Sequence, residues 1–169
     1  MAYTVHSPTN LRSINVQFDK VIKETKDKIG LILENTAKTC LTHIINPDGK
    51  DPFKTGSYIS SHRVGINQVD TSDTVIKKKG VRTLEQAKGR ALAELRKIKD
   101  IKPEDTITIS NSVGYSTKYG YSWAGRVEYV GWGDQNGRDA YLIYEKAVAK
   151  TMAALPKIAA TITDSKVPI

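Results

Sequence analysis

The chain has 169 residues, a hydrophobic fraction of 39%, a charged fraction of 26% and a formal net charge of +8. Its length fits one domain with a real core, and its composition excludes wholesale disorder. No apolar run approaches the ~18–20 residues of a membrane span, and no basic start followed by an apolar core marks a signal peptide. The single cysteine, Cys40, excludes an internal disulfide and fits folding in a reducing cytoplasm.

In chain order, residues 1–12 read as an irregular polar arm carrying Pro8. From residue 13 a helical period sets in. Phe18, Ile22, Ile29, Leu33, Ala37, Cys40 and Ile44 recur at spacings of three, four and seven, and the charged residues lie mostly off that stripe. The spacing predicts a long amphipathic helix that ends before Pro47-Asp48-Gly49, with Cys40 a buried thiol on its core side.

Thr55 or Ser57 can cap a short helical turn. Residues 60–68 then alternate like a strand, and 71–79 continue as the second strand of a hairpin. Thr83 with Gln86 forms a capping-box pattern, and Leu84, Ala87, Ala91, Leu95 and Ile98 line one side of a helix of about four turns. Pro103 closes it, and 105–113 alternate β-branched and polar residues, a half-buried strand. An aromatic loop leads into a further strand at 125–132. Tyr141, Ala147 or Val148, Met152, Leu155 and Ile158 mark a second long helix, kinked or shortened by Pro156. Residues 163–169 read as a loose tail.

These elements predict an α+β fold, a small and mostly antiparallel sheet packed by long N- and C-terminal helices, with an inserted basic helix. The expected organisation is one domain over 13–162, with 69–103 as a hairpin and helix insertion.

Ten basic residues between Lys77 and Lys102 face only Glu85, Glu94 and Asp100, so this segment holds +7 of the net charge. It could meet phosphate or an acidic partner, or be simply a solvated charged segment. The basic residues are spread round the helix, which weakens a nucleic-acid-reading face. Cys40, His43 and His62 do not make up the four ligands zinc wants, and no metal or cofactor is expected. Ser60-Ser61-His62 lacks the context of an activated nucleophile, and no carboxylate pair is tuned for acid–base work. No catalytic residue is assigned.

Eight of the chain's twelve aromatics fall between Tyr115 and Tyr144, interleaved with glycine. Such residues offer an apolar body and a polar tip. Core packing, a subunit interface and a stacking platform for single-stranded nucleic acid all remain open on these residues alone.

The order of Lys54-Thr55-Gly56-Ser57-Tyr58, Tyr119-Gly120-Tyr121, Arg126-Val127-Glu128-Tyr129-Val130-Gly131 and a C-terminal helix over 140–160 resembles the tail-completion or neck proteins of long-tailed bacteriophages, the lambda Z-like family. Two features depart from that pattern, the padding at 121–125 and the basic helix at 81–101. The resemblance implies a structural virion protein assembled in the host cytoplasm. It implies a homo-oligomeric ring, hexameric in expectation, that links the tail tube to the head–tail connector. Tyr119, Tyr121, Trp123, Arg126, Glu128 and Tyr129 are then the expected subunit contacts. Lys77, Lys78, Lys79 and Arg82 would reach an acidic ring or DNA in the channel. The alternatives are a tail terminator ring capping the tube and, in another class, a basic nucleic-acid-binding module.

Overall fold

The computed structural model describes residues 8–48, 56–72, 83–113, 123–129 and 141–164. The fold is α+β. Helix α1 spans Pro8–Ile45, α2 Ser57–Ser60 and strand β1 His62–Ile66. Helix α3 (Leu84–Leu92) runs into a 3-10 turn (Ala93–Lys97), followed by β2 (Ile107–Asn111), α4 (Trp123–Tyr129) and α5 (Ile143–Asp164). β1 and β2 pair antiparallel, from His62 opposite Asn111 to Ile66 opposite Ile107.

Helix α1 begins five residues before the expected boundary. Pro8 occupies its first position, where the missing N–H costs no helical hydrogen bond and the fixed φ suits a helix. The residues read as part of an arm therefore start the helix. At the other end of the chain, α5 runs through Pro156 to Asp164. Pro156 and Met152 are both exposed, so the carbonyl deprived of its i+4 donor lies toward water.

The Thr83–Gln86 capping box forms in full, with Gln86 N–H donating to Thr83 Oγ1 (3.2 Å) and Thr83 N–H to Gln86 Oε1 (3.0 Å). The helix it starts is shorter than four turns, because the chain tightens at Ala93. That tightening accompanies a bond from Val64 N–H to Glu94 Oε2 (2.9 Å), which satisfies a strand donor on the side away from β2. Ala87, Ala91 and Ile98 are fully buried. The basic helix is therefore part of the core rather than an appendage. Most of the expected strand at 71–79 lies outside the described residues; Thr71 and Ser72 are not in a strand.

The core has two parts, and α1 contributes to both. Ala37, Leu41 and Ile45 pack with Val64, Ala91 and Ile98. Ile44 packs on the other side with Tyr58, Val127, Ile143 and Ala147. Helices α1 and α5 lie antiparallel, with His43 Nδ1 3.2 Å from Thr151 Oγ1 and Lys28 Nζ donating to the Thr163 carbonyl at 3.1 Å. Helix α5 thus ends level with Lys28. The first twenty residues of α1, roughly 30 Å of helix, run on beyond it.

Gly30 lets the loop after the 3-10 turn cross α1 closely. A Cβ there would lie 2.0 Å from the Ile101 carbonyl oxygen. In an open helix, Gly→Ala stabilises by about 1 kcal/mol; here the clash reverses the sign. Gly30→Ala is expected to lower stability by about 1–3 kcal/mol, measured by urea denaturation, and an unchanged or raised midpoint would contradict the close crossing.

Candidate interaction surface

Two arrangements stand out, one buried and polar, the other open and apolar. The buried one fixes α4. Val127 and Glu128 are adjacent, yet their exposures are 0% and 6%. The segment forms a helix, Trp123–Tyr129, so the strand expected at 125–132 is corrected to α4 through Tyr129.

The Glu128 carboxylate accepts a short hydrogen bond from the Tyr58 hydroxyl on α2 and another from the Tyr144 N–H on α5 (3.3 Å). Backbone bonds reinforce the seat, from Tyr141 N–H to the Val127 carbonyl (3.2 Å) and from Leu142 N–H to that of Glu128 (3.1 Å). Burial and the adjacent carboxylate push the Tyr58 phenol far above its ordinary value, and the same two causes raise Tyr144. Both phenols stay neutral donors. Glu128, expected as a subunit contact, is instead turned inward and occupied, which is a correction to that assignment.

Behind Tyr144 sits His62, with Nδ1 2.9 Å from the Tyr144 hydroxyl and 3.4 Å from Asn111 Nδ2. Asn111 Nδ2 also donates to the Tyr58 carbonyl (2.9 Å). With Nδ1 facing an amide donor, the neutral ring carries its proton on Nε2, which has no hydrogen-bond partner. The ring makes an edge-to-face contact with Tyr58, centroids 5.2 Å apart. Desolvation, then the Arg63 charge, lowers the His62 pKa from 6.5 to about 3. Ser60 and Ser61 hydroxyls both donate to the Ser57 carbonyl rather than to His62. Arg63 is buried too, donating from Nη1 to the carbonyls of Ser60 (3.1 Å) and His62 (2.8 Å).

The open arrangement begins on the projecting half of α1. Phe18 is 62% exposed, Ile22 52% and Ile29 42%, on the helical face whose later turns carry Leu33 and Cys40. There the face becomes a groove of about 290 Å³ between α1, β2 and α5. Leu33, Cys40, Ile107, Ile109, Val148 and Met152 line most of it. Val148 and Met152, 51% and 58% exposed, carry the apolar surface onto α5. Burial raises the Cys40 thiol pKa, partly offset by a hydrogen bond with Thr151. Cys40 is half-buried in the groove wall, short of the full burial expected of it.

Of the other expected contacts, Trp123, Arg126 and Tyr129 lie on α4, but their side chains, with all of Tyr119 and Tyr121, fall outside the described residues. So do Lys77, Lys78, Lys79 and Arg82. Within the basic segment, Lys97 bridges Asp70 (2.8 Å) and Glu94 (2.7 Å). Among the described residues, no group of three or more His, Cys, Asp or Glu could hold a metal ion, and no helix is long and apolar enough to cross a membrane. No protein-family model, curated protein or solved structure matches this chain.

The sequence carried a sign of the open face, since the Phe18, Ile22, Ile29 stripe is periodic. What it lacked was the point at which α5 stops. The Tyr58–Glu128 contact joins residues seventy positions apart, with no local signal.

Two outcomes test the buried cluster. Tyr58→Phe leaves the Glu128 carboxylate short of a donor in a buried site, and is expected to cost about 1–3 kcal/mol in chemical denaturation at neutral pH. His62 gives a pH signature. Below pH 6.5 the unfolded chain binds a proton at this ring that the folded chain refuses until near pH 3. The contribution to stability is therefore intact above 6.5 and falls as the pH drops toward 3, by up to about 1.4 kcal/mol per pH unit. Denaturation series between pH 6.5 and 4.5 are expected to slope less steeply for His62→Gln than for the unmodified chain; parallel slopes would show that the ring titrates normally.

Proposed function

We propose that this chain is a structural virion protein that forms a ring, of six copies, at the head–tail junction of a long-tailed bacteriophage and links the tail tube to the connector. The observation that carries the reading is the apolar face left open along α1 and α5. Contiguous apolar patches larger than a few hundred Å² are rare on monomeric proteins and mark interaction sites. This one lies on regular helices, and no group of His, Cys, Asp or Glu that could hold a metal ion is found among the described residues.

One further point supports it. Long N- and C-terminal helices against a small antiparallel sheet are what the resemblance to neck proteins implies. The Val127-Glu128-Tyr129 segment, part of that resemblance, lies on helix α4 where the resemblance implied a strand, so it adds no support. A subunit of a closed ring presents different patches to its two neighbours, and Tyr119, Tyr121, Trp123, Arg126 and Tyr129 are the candidates for a patch apart from the α1 face. Lys77, Lys78, Lys79 and Arg82 are the proposed contacts with an acidic ring or channel DNA. A free-standing nucleic-acid module is less favoured, because Lys97 is held between two carboxylates.

Antibody labelling of intact particles in negative stain is expected to place this chain between capsid and tail. Label confined to the capsid, or absent, would refute the proposal, and label at the upper end of headless tails would identify the terminator alternative.

A further inference from the structure

We propose that two free copies of this chain pack through the α1 face in antiparallel register about Ile29, so that the projecting arm of each fills the groove of the other. The inference rests on the reading that copies of this chain self-associate, and is independent of their place in a particle.

The apolar face is a single band. Phe18 and Ile22 form a ridge on the half of α1 that α5 does not reach, and Cys40 with Thr36 floors the groove on the half flanked by α5 and β2. Ridge and groove are disposed symmetrically about Ile29. Phe18 and Cys40 lie eleven residues to either side of it, and Ile22 and Thr36 lie seven. An antiparallel partner centred at Ile29 therefore brings Phe18 over Cys40 and Ile22 over Thr36, twice. Thr151 is the α5 neighbour of this level of α1, so Met152 borders the same spot and Phe18 of the second copy meets its exposed side chain. A surface that supplies knob and hole in mirrored order fits a twofold contact, where the same patch serves both subunits.

Size and charge agree. Phe18, Ile22, Ile29, Val148 and Met152 leave on the order of 500 Å² exposed on each copy, and the pair would bury roughly 1,000 Å², the threshold for a specific interface. Lys26 flanks the stripe between Ile22 and Ile29, and in this register it approaches the groove rim that holds Asp105. Asp105 accepts from Asn67 Nδ2 (2.7 Å) and Lys102 N–H (2.8 Å), which keep it ionised. Such a contact closes on two copies and covers the apolar face of the free protein; the same face would be released to a neighbouring subunit when a ring forms.

Light scattering of the purified full chain is expected to give twice 18.7 kDa, and Phe18→Glu is expected to halve that mass with an unchanged circular dichroism spectrum. Cys40 supplies a register test. Phe18→Cys is expected to form an intermolecular disulfide under mild oxidation, and the bond is expected to be lost in Phe18→Cys with Cys40→Ser. Val16→Cys, on the opposite side of the helix, is expected to remain monomeric on a non-reducing gel. A monomeric unmodified chain, a cross-link that survives loss of Cys40, or equal cross-linking from Val16→Cys would each overturn the proposal. The cross-link holds even where antibody labelling finds no neck signal, so the two readings fail separately.

Discussion

The constraint on which this molecule turns is a mismatch in length. Helix α1 has 38 residues and its antiparallel partner α5 has 22. Hydrophobic packing holds them together where they overlap, from the Lys150–Asp48 ion pair at one end to Lys28 and Thr163 at the other. Beyond Lys28 the apolar stripe of α1 continues without a partner in this chain among the described residues. The stability of α1 in isolation would be marginal despite its length, since helices draw most of their stability from a packed face. Something that covers Phe18 and Ile22 would therefore stabilise the arm as well as bury the stripe.

The rest of the fold braces the overlapping half. α2, α3 and the two strands wrap the C-terminal turns of α1, and α4 is locked in by a carboxylate whose partners come from α2 and α5. A buried carboxylate costs several kcal/mol unless its lone pairs are matched, so Glu128 tolerates only the position in which Tyr58 and the Tyr144 N–H both reach it. It confers specificity of placement more than net stability.

How much of this was legible in the sequence depended on range. The Thr83–Gln86 box, the strands β1 and β2 and the long period of α1 are local patterns, and all three formed, although β1 is buried on both faces and pairs with β2 rather than with the expected hairpin partner at 71–79. Pro8 was misread because proline is both a breaker within a helix and a favoured first residue, and only the following turns decide between them. The reading of 125–132 failed for a different reason. Ala124, Val127 and Glu128 share an inward helical face only because Tyr58 accommodates a charge there, and that partner is distant in sequence. Likewise the stripe at Phe18 and Ile22 looked like ordinary core, since nothing local shows where the opposing helix stops. Cys40 was read as an inert core thiol on the same grounds, and the structure puts it in a groove wall instead.

The two apolar regions of α1 serve different ends. A core residue is conditioned by neighbours of its own chain, as Leu41 and Ile44 are, each buried to 2% or less. Phe18, Ile22 and Ile29 continue the helical face that carries Leu33 and Cys40, but have water where those residues have β2 and α5. Selection against aggregation ordinarily breaks such a run with charge, and here Asp19 and Lys26 border the stripe while the stripe itself carries no charge. A face free of charge along its centre, with charged residues along one border, suits an interface. That layout, continued from the arm into a groove of the same molecule, is what makes a second copy the natural occupant.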